Sequence, residues 1–520
     1  MQSPVSVEFV QELSLNPQAH LTGHSAAVDW QHLTPLYPTA GVVGDSQGAS
    51  VSWLVSPQPF TLSTGLHENL QRLGPVLWRF QWACDQLYRD SVRGHAPAWI
   101  ATLCHQGKPE SLITLAHMKR FRRQVPRVIR PDLLLQGDDF AITELDSVPG
   151  GLGFLAMLQQ AYRRSGFGDV LAPDAGLPLA FYNLVRGAWV PECSETGQSP
   201  AIAVVISDEA GDYRTELQWL CNAAMQAVSD QLISAELPPL VCVHPKDLQL
   251  MGQTLGYHSP DTNTWQPIGR IYRFFELFDL PNIPNAELIA FSAKKGWVTL
   301  TPPCSFWLEE KLWLALAHHP VLQPYWRKAL GEADWDWLRA KISQGWVLDP
   351  SPLPPQAVLP NAVFDGVPLT DWAQLGQLSQ KQRQLVVKPS GFSPLAWGSR
   401  GVTIGHDVSQ PDWAQTVDAA LQAFPNTPHV LQQFQPAQRV QAWQMPHDQA
   451  NTTDQWRSFE ARVRLCPYYF ADAVALEAVA TPEAIAQVGV QCVGALATLC
   501  PADKKIIHGM ASGVMAPASL

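Results

Sequence analysis

Residues 128–153 read VIRPDLLLQGDDFAITELDSVPGGLG. Two short apolar runs, VIRPDLLL and FAIT, flank the polar stretch QGDD, and this pattern predicts a β-hairpin. Pairing Gln136 with Phe140 across a three-residue loop places Leu134 opposite Ile142. Residues two apart on a strand point the same way, so this register decides which side chains share a face.

The base of the predicted hairpin carries four polar side chains on one face. The register sets Asp132 opposite Glu144. It also sets Arg130 opposite Asp146, with cross-strand Cβ atoms about 5 Å apart. Three clustered carboxylates repel one another, and a hard divalent cation is their natural occupant. Magnesium prefers one or two carboxylates plus substrate phosphates, and Arg130 could hold a transferring phosphoryl group bidentately. From this segment alone, a solvated hairpin with an Arg–Asp cross-strand pair remains the alternative.

A glycine-rich turn, SVPGGLG at 147–153, follows the hairpin and leads into a predicted helix over 154–164. Its glycines are wrongly spaced for the dinucleotide pattern G-x-G-x-x-G, and the strand before it is rich in acids. We therefore expect a turn whose backbone amides face a substrate.

A second informative segment is a strand that ends on a lysine. LVVKPS at 385–390 precedes the flexible loop GFSPLAWGSRG and the strand VTIG. A lysine leaving a rigid strand is a well-placed point charge, and glycine amides can approach phosphates closely. A plain β-hairpin is the alternative. About 30 residues later, HVLQQF at 429–434 predicts a short buried strand that could border an adenine ring. Its alternative is an edge strand.

The rest of the chain indicates scaffolding and an α/β unit. An amphipathic helix is predicted around 66–92. Between about 181 and 290, apolar strands such as AIAVVIS at 201–207 alternate with helix, which predicts a parallel sheet covered on both faces. Residues 291–348 are expected to be mainly helical, and the proline-rich segment at 349–360 is expected to be a surface loop.

Composition excludes several classes of function. The 520 residues, 46% of them hydrophobic, predict about three domains, and the formal net charge is −11. This acidic balance argues against non-specific binding to nucleic acid or anionic membrane, since both need a basic surface. Nine scattered cysteines without a C-x-x-C pair argue against structural zinc and a disulfide framework. No apolar stretch of about 18 residues occurs, and a cytoplasmic location is expected.

Together these segments resemble the ATP-grasp enzymes in the circularly permuted arrangement typified by glutathionylspermidine synthase. RPD followed by ITELDSVPGG resembles that family's metal-binding signature, and VVKPSGF with GSRGV resembles a lysine and its phosphate loop. The apolar helix that contains Glu310 and Lys311 resembles the one that supplies the other ATP-binding lysine. The carboxylates precede the lysines, and an α/β unit with Glu216 at its helix falls between them, as the permuted order requires. The resemblance covers about 130–520.

The resemblance implies an α+β / α/β chain: a circularly permuted ATP-grasp fold with an inserted α/β pre-ATP-grasp domain and an N-terminal extension. The implied boundaries are 1–125 for a mixed N-terminal region, 126–180 for the first part of the ATP-grasp domain with the metal hairpin, 181–290 for the pre-ATP-grasp-like domain, and 291–520 for the remainder with the ATP-binding lysines.

The resemblance also implies an ATP- and Mg²⁺-dependent carboxylate–amine ligase that forms ADP and an amide through an acyl phosphate. Its substrates would be small-molecule or peptide carboxylates and amines, with one or two magnesium ions. The implied residues are Arg130 on the transferred phosphate; Asp132, Glu144 and Asp146 on the metal; and Lys311, Lys388, Ser390, Ser399, Arg400, Gly401, Gln432 and Gln433 on ATP. A non-catalytic ATP-binding scaffold and an ATP-dependent phosphotransferase are the alternatives.

Two positions depart from the family pattern. Asp146 stands where the family usually has Asn, and Gly150–Gly151 replaces a hydroxyl-bearing turn. The candidate substrate selectors near the C-terminus are Arg462, Arg464, Lys504 and His508, for which surface or core roles are the alternative.

Overall fold

The computed structural model describes residues 43–44, 50–51, 54–191, 199–231, 237–260, 262–353, 357–364, 366–396, 398–444, 457–479, 481–507 and 513–520. Its α-helices are α1 Thr64–Val92, α2 Ala98–His105, α3 Glu110–Ala116, α4 Leu152–Arg164, α5 Leu177–Arg186, α6 Arg214–Asp230, α7 Ala286–Lys295, α8 Leu312–Leu316, α9 Gln323–Leu330, α10 Glu332–Lys341, α11 Gln410–Ala423, α12 Ala473–Ala478 and α13 Pro482–Ile485.

The strands form three main sheets and two small two-stranded ones. They are β1 Val43–Gly44, β2 Ser50–Val51, β3 Leu54–Val55, β4 Phe60–Thr61, β5 Val128–Gln136, β6 Asp139–Asp146, β7 Ala201–Ile206, β8 Leu240–Val243, β9 Gln249–Met251, β10 Thr254–His258, β11 Trp265–Phe274, β12 Thr299–Thr301, β13 Gly345–Val347, β14 Val363–Phe364, β15 Val367–Pro368, β16 Leu385–Pro389, β17 Thr403–Ile404, β18 His429–Gln433, β19 Arg439–Gln444, β20 Arg457–Ala471, β21 Val490–Pro501 and β22 Val514–Ser519.

The largest sheet has eight strands in the order β3-β22-β21-β20-β5-β6, with β19 added on β20 and β4 on β22. The hairpin β5–β6 therefore extends a sheet whose central strands come from the C-terminal end of the chain. Helix α1 packs against this sheet. At Gly74 the helix backbone approaches the ring of Tyr469 so closely that a Cβ would lie 2.5 Å from Cδ1. The Tyr469 hydroxyl donates to the carbonyl of Leu70 at 2.8 Å, so this glycine lets the helix seat on the sheet.

The second sheet has six strands in the order β8-β7-β11-β10-β9, with β12 paired to β11. Strands β7, β8, β11 and β12 are parallel, which confirms the predicted parallel α/β unit. All six residues of β7 are buried, as expected for a strand covered on both faces. The antiparallel strands β9 and β10 widen the sheet beyond what the sequence indicated.

The third sheet is antiparallel, with four strands in the order β13-β18-β16-β17. Helix α11 packs on it. Strand β18 is paired on both sides, by β13 and β16, so it is an interior strand and the edge-strand alternative is wrong. Within the described residues, no helix is both long enough and apolar enough to cross a membrane.

The predicted continuous helix around Lys311 is wrong. A short 3₁₀ turn, Phe306–Glu309, is followed by Glu310 in an extended conformation with φ −91° and ψ 132°. Lys311 is the N-cap of the short helix α8. The break has a physical cause, because the fully buried Glu310 side chain pairs with Lys108 and accepts a hydrogen bond from Ser390.

Candidate functional site

A cavity of about 420 Å³ is lined by strand residues of the eight-stranded and four-stranded sheets. The hairpin β5–β6 supplies its acidic wall, and β16 with β18 supplies a second wall. Glu276, two residues after β11 of the six-stranded sheet, and Lys311, before α8, also line it. The segments that the sequence singled out separately thus meet in one place.

The base of the hairpin has the predicted register. Asp132 pairs with Glu144, and Arg130 pairs with Asp146. The predicted tip is wrong. Gln136 pairs with Asp139 across a two-residue turn, and not with Phe140 across a three-residue loop. A one-residue slip would turn every later side chain to the other face.

A β-bulge at Thr143 restores the register between tip and base. Gly137, the first residue of the turn, has φ +69°, which suits a two-residue hairpin turn with glycine at that position. The turn is also held from outside, because Asn69 of α1 donates to the Asp138 carbonyl at 2.9 Å.

Arg130 lies between two of the carboxylates. Its Nη2 is 2.9 Å from Oδ2 of Asp146 and 3.4 Å from Oδ1 of Asp132. From β20, Arg464 Nη1 contacts Oδ2 of Asp132 at 2.9 Å. Burial opposes ionisation of Asp132, but Arg464 and Arg130 outweigh it and lower its pKa to about 2.

Glu144 lies between the two lysines. Lys388 Nζ is 3.3 Å from its Oε1 and donates to the Thr143 carbonyl at 2.8 Å. Lys311 Nζ is 3.8 Å from Oε2 and donates to the Ala396 carbonyl at 2.7 Å. Burial opposes ionisation, yet the two lysines hold the pKa of Glu144 below its usual value. Burial lowers the pKa of the Lys388 ammonium in spite of Glu144.

Each of the three carboxylates is therefore paired with at least one basic side chain. Among the described residues, no group of three or more His, Cys, Asp or Glu side chains is placed to hold a metal ion by itself. The side chains of Glu144 and Asp146 are 33% and 28% exposed toward the cavity, whereas that of Asp132 is 8% exposed and paired with arginine. Glu144 and Asp146 fit magnesium, which needs one or two carboxylates alongside phosphate and water oxygens. Asp132 fits it less well.

The glycine loop lies at the basic wall of the cavity. Gly398 and Ser399 both adopt positive φ, +64° and +60°, and they line the cavity together with Arg400. Arg400 Nη1 contacts Glu209 at 3.1 Å, which joins the loop to the segment after β7.

Two other predicted ATP residues, Ser390 and Gly401, take part in internal contacts. Ser390 is fully buried, and its Oγ accepts from the Leu312 amide at 3.0 Å. The Gly401 amide donates to the Leu395 carbonyl at 2.9 Å. Both residues shape the loop and strand around Lys388.

Gln432 and Gln433 end the interior strand β18, and both line the cavity. Gln432 is buried and Gln433 is exposed. This alternation follows from the strand period, so the two side chains point to opposite faces.

The glycine turn after the hairpin is occupied from within. The Gly151 amide donates to Oε1 of Glu216 at 2.7 Å, and the Phe154 amide donates to Oε2 at 2.8 Å. The expectation that these amides face a substrate is therefore wrong for Gly151. A carboxylate at the first turn of α4 satisfies free N–H groups and suits the helix dipole. Burial raises the pKa of Glu216 to about 7, even though both amides stabilise its charged form.

The sequence reasoning missed Glu276 and Glu309, a pair of acidic residues that line the cavity near Arg273. Glu309 pairs with the fully buried Arg273. Glu276 lies beside it, and burial together with the Glu309 charge raises the pKa of Glu276 well above its usual value. Their signal was the charge inside the apolar runs RIYRFFEL and SFWLEE, because a buried charge in such a run needs a partner.

The C-terminal candidates separate in the structure. Arg464 lines the cavity, whereas Arg462 donates to the carbonyls of Ala502 and Ala437 at 2.9 and 3.3 Å. Lys504 is exposed, and its neighbour Lys505 lines the cavity instead. His508 lies outside the described residues.

No protein-family model and no curated protein sequence matches the chain. Among solved structures, a glutathione synthetase-like effector from Globodera pallida in its apo form is similar, with a TM-score of 0.55, 11% identity and 100% of both chains covered. A putative gamma-glutamylcysteine synthetase from Methylobacillus flagellatus has a TM-score of 0.35, 11% identity and 90% coverage of each chain. D-alanyl-alanine synthetase A from Vibrio cholerae has a TM-score of 0.24 and 10% identity, covering 62% of this chain and 87% of its own.

The likeness to the effector is one of fold, a mixed α/β architecture with several sheets. The circularly permuted order and the domain boundaries stay predictions.

Proposed function

We propose that this chain is an ATP- and Mg²⁺-dependent carboxylate–amine ligase that forms an amide through an acyl phosphate and releases ADP. The observation that carries the proposal is the convergence of Lys311 and Lys388 on Glu144 in one cavity, at 3.8 and 3.3 Å. The two lysines come from distant segments, and nothing in local structure requires them to meet.

The lysines and the loop around Ser399 would hold the ATP phosphates. Two ammonium groups beside backbone amides of a glycine loop neutralise phosphate charge without covalent chemistry. The end of β18, which carries Gln432 and Gln433, would contribute hydrogen bonds at the adenine edge. Phosphoryl transfer depends mostly on positioning and charge stabilisation, and this set of groups supplies both.

Arg130 would act on the transferred phosphoryl group. Its guanidinium, held by Asp132 and Asp146, is oriented along the acidic wall. Glu144 and Asp146 would hold magnesium, which when bound would supply positive charge to neutralise the phosphates. In the absence of nucleotide the lysines already neutralise Glu144, so binding would exchange one set of ionic partners for another.

A second candidate is a nucleotide-binding protein without turnover. The ion pairs on Asp132 and Glu144 favour it, because each acid already has a basic partner. The two candidates differ in one observable, the release of ADP.

The deciding experiment incubates the full-length protein with ATP, MgCl₂ and a library of carboxylates and amines, with ADP and product masses as readouts. We expect magnesium-dependent ADP formation that requires both substrates, and a product whose mass is their sum less one water. ATP binding without ADP release would favour the non-catalytic candidate. A phosphorylated carboxylate or alcohol as stable product would identify a phosphotransferase.

A matched pair of variants tests the lysine clamp, the name used here for Lys311 and Lys388. Lys388→Met should weaken binding of a non-hydrolysable ATP analogue by about 10- to 100-fold, since a charge-assisted contact is lost. Lys381→Met, at an exposed lysine shortly before β16, should leave binding unchanged. Equal affinities for both variants would contradict the clamp.

A further inference from the structure

Arg464 lies on β20, in the part of the cavity lining that the eight-stranded sheet forms, here called the floor. Along β20, Arg464, Cys466 and Tyr468 are spaced two apart, and all three line the cavity. The eight-stranded sheet thus turns one face toward the ligand space well beyond the hairpin. This part of the floor is formed by the C-terminal strands.

A row of cross-strand partners passes through Arg464. Thr498 on β21 and Leu134 on β5 flank it, and Met515 on β22 follows Thr498. All four residues line the cavity. Arg464 is the charged member of an otherwise uncharged row, so this strip combines a cation with apolar surface.

The guanidinium of Arg464 is only partly used by the protein. Among the residues that the structure describes, its hydrogen-bonded acceptor is Asp132, reached through Nη1 at 2.9 Å. The Nε atom is buried without a partner in the described part of the chain. A buried donor without an acceptor is unfavourable, and the Nε and Nη2 edge is the fork that a carboxylate or phosphate engages bidentately.

Asp132 fixes the orientation of this fork. Since Asp132 accepts from Arg464 on one oxygen and lies near Arg130 on the other, the two guanidinium groups are held on either side of one carboxylate. We propose that Arg464 binds the carboxylate of the substrate. The short aliphatic chain of the substrate then lies over Thr498, Met515 and Leu134. This inference rests on the proposed ligase function, and it names a subsite on β20, next to the lysine clamp at Glu144.

A carboxylate suits this position better than a nucleotide phosphate. The lysines that would take the phosphates contact Glu144. Arg464 contacts Asp132 instead, and its cross-strand row supplies the methyl and thioether groups of Thr498, Leu134 and Met515. A strip of one cation beside apolar side chains fits a small anion with a hydrocarbon tail.

The test measures binding of butyrate and its neutral analogue butyramide to the full-length protein by ligand-observed NMR, with inorganic phosphate titrated in parallel. We expect saturable butyrate binding to the wild type and at least about tenfold weaker binding of butyramide. Arg464→Met should weaken butyrate about 10- to 100-fold, and Arg464→Lys should weaken it less. The lysine variant keeps a counter-ion for Asp132, so it remains informative if the methionine variant does not fold.

Arg439→Met is the matched control, because this arginine lies on β19 in an exposed pair with Glu460. Its butyrate affinity should equal that of the wild type. The inference would be overturned if the wild type, Arg464→Lys and Arg464→Met all bound butyrate with equal affinity. It would also be overturned if the wild type did not bind butyrate. Phosphate binding that is tighter than butyrate binding and depends on Arg464 would also overturn it, by assigning the fork to a phosphoryl group.

Binding of Mg²⁺ with a non-hydrolysable ATP analogue separates this inference from the proposed function. Analogue binding without Arg464-dependent butyrate binding sinks the subsite and leaves the ligase proposal standing. Butyrate binding by a wild type that does not bind the analogue keeps the subsite and contradicts the ligase proposal.

Discussion

The carboxylate hairpin and the lysine clamp reach the same cavity by different routes. In the hairpin, Asp132 and Glu144 are twelve positions apart in the sequence and meet by local strand pairing. In the clamp, Lys311 and Lys388 are 77 positions apart and meet because a buried contact joins their segments. That contact is Glu310, which pairs with Lys108 and accepts from the Ser390 hydroxyl.

This difference teaches where the site is vulnerable. A hairpin keeps its register through many small contacts along two strands, so a single change shifts it little. The clamp depends on a few buried contacts: Ser390 bonds to Glu310 and Leu312, and Glu310 is paired with Lys108 from the N-terminal region. Residues outside the expected ATP-binding segments therefore help to position both lysines.

The largest expected effect is loss of the buried ion pair. Lys108→Met should lower the free energy of unfolding by about 3–5 kcal/mol, because it leaves the Glu310 charge buried without its partner. Denaturant titration measures this loss. The double variant Lys108→Met with Glu310→Gln should recover most of it, since the stranded charge is gone. A single variant as stable as the wild type would show that the pair does not join the segments.

Glu144→Gln tests where the two regions touch. We expect ATP turnover to fall about 100- to 1000-fold while the fold is retained, because the amide cannot replace the charge between lysines and metal. Steady-state ADP release and a thermal unfolding curve measure the two quantities. Asp138→Asn, at the hairpin tip, is the control for altered charge on the same hairpin. Full turnover in Glu144→Gln would remove this residue from the proposed chemistry.

Glu216→Gln sharpens the comparison through pH. Burial raises the pKa of Glu216 from its ordinary value of 4.5 to about 7, so the folded state holds this proton more tightly than the unfolded state. Stability from this group is thus present below about pH 4.5 and falls as pH rises toward 7. Unfolding free energies measured across this window should decline less steeply in Glu216→Gln than in the wild type. Parallel pH profiles would contradict the assignment.

The smallest effect is expected at the hairpin tip. Gly137→Ala should cost about 1 kcal/mol, since φ is +69° and a Cβ there meets no atom within 4 Å. Gly168→Ala has equal space without a positive φ and should be nearly neutral. Thermal unfolding of the two variants, with ADP release unchanged in both, measures the contribution of backbone strain alone. A neutral Gly137→Ala would argue against the two-residue turn.

Sequence pattern determined the elements and the base of the hairpin. The helix around 66–92, the parallel α/β unit and the opposition of Asp132 to Glu144 follow from apolar periodicity, which reports burial one face at a time. The register at the hairpin tip could not be predicted from this periodicity. A bulge at Thr143 compensates for a shorter turn, and neither feature is visible in the composition of the segment. The permuted order and the functional assignment of these residues remain predictions.

The tertiary structure alone decided which residues share the site. Arg464 comes from a strand more than 300 residues beyond Asp132, and Glu216 crosses from the α/β unit to hold the glycine turn. Neither contact produces a periodic pattern in the sequence, because the packing of the sheets determines which distant residues meet. The same packing set charged groups around each acid, so that the carboxylates predicted from sequence to await a cation are already paired with arginine and lysine.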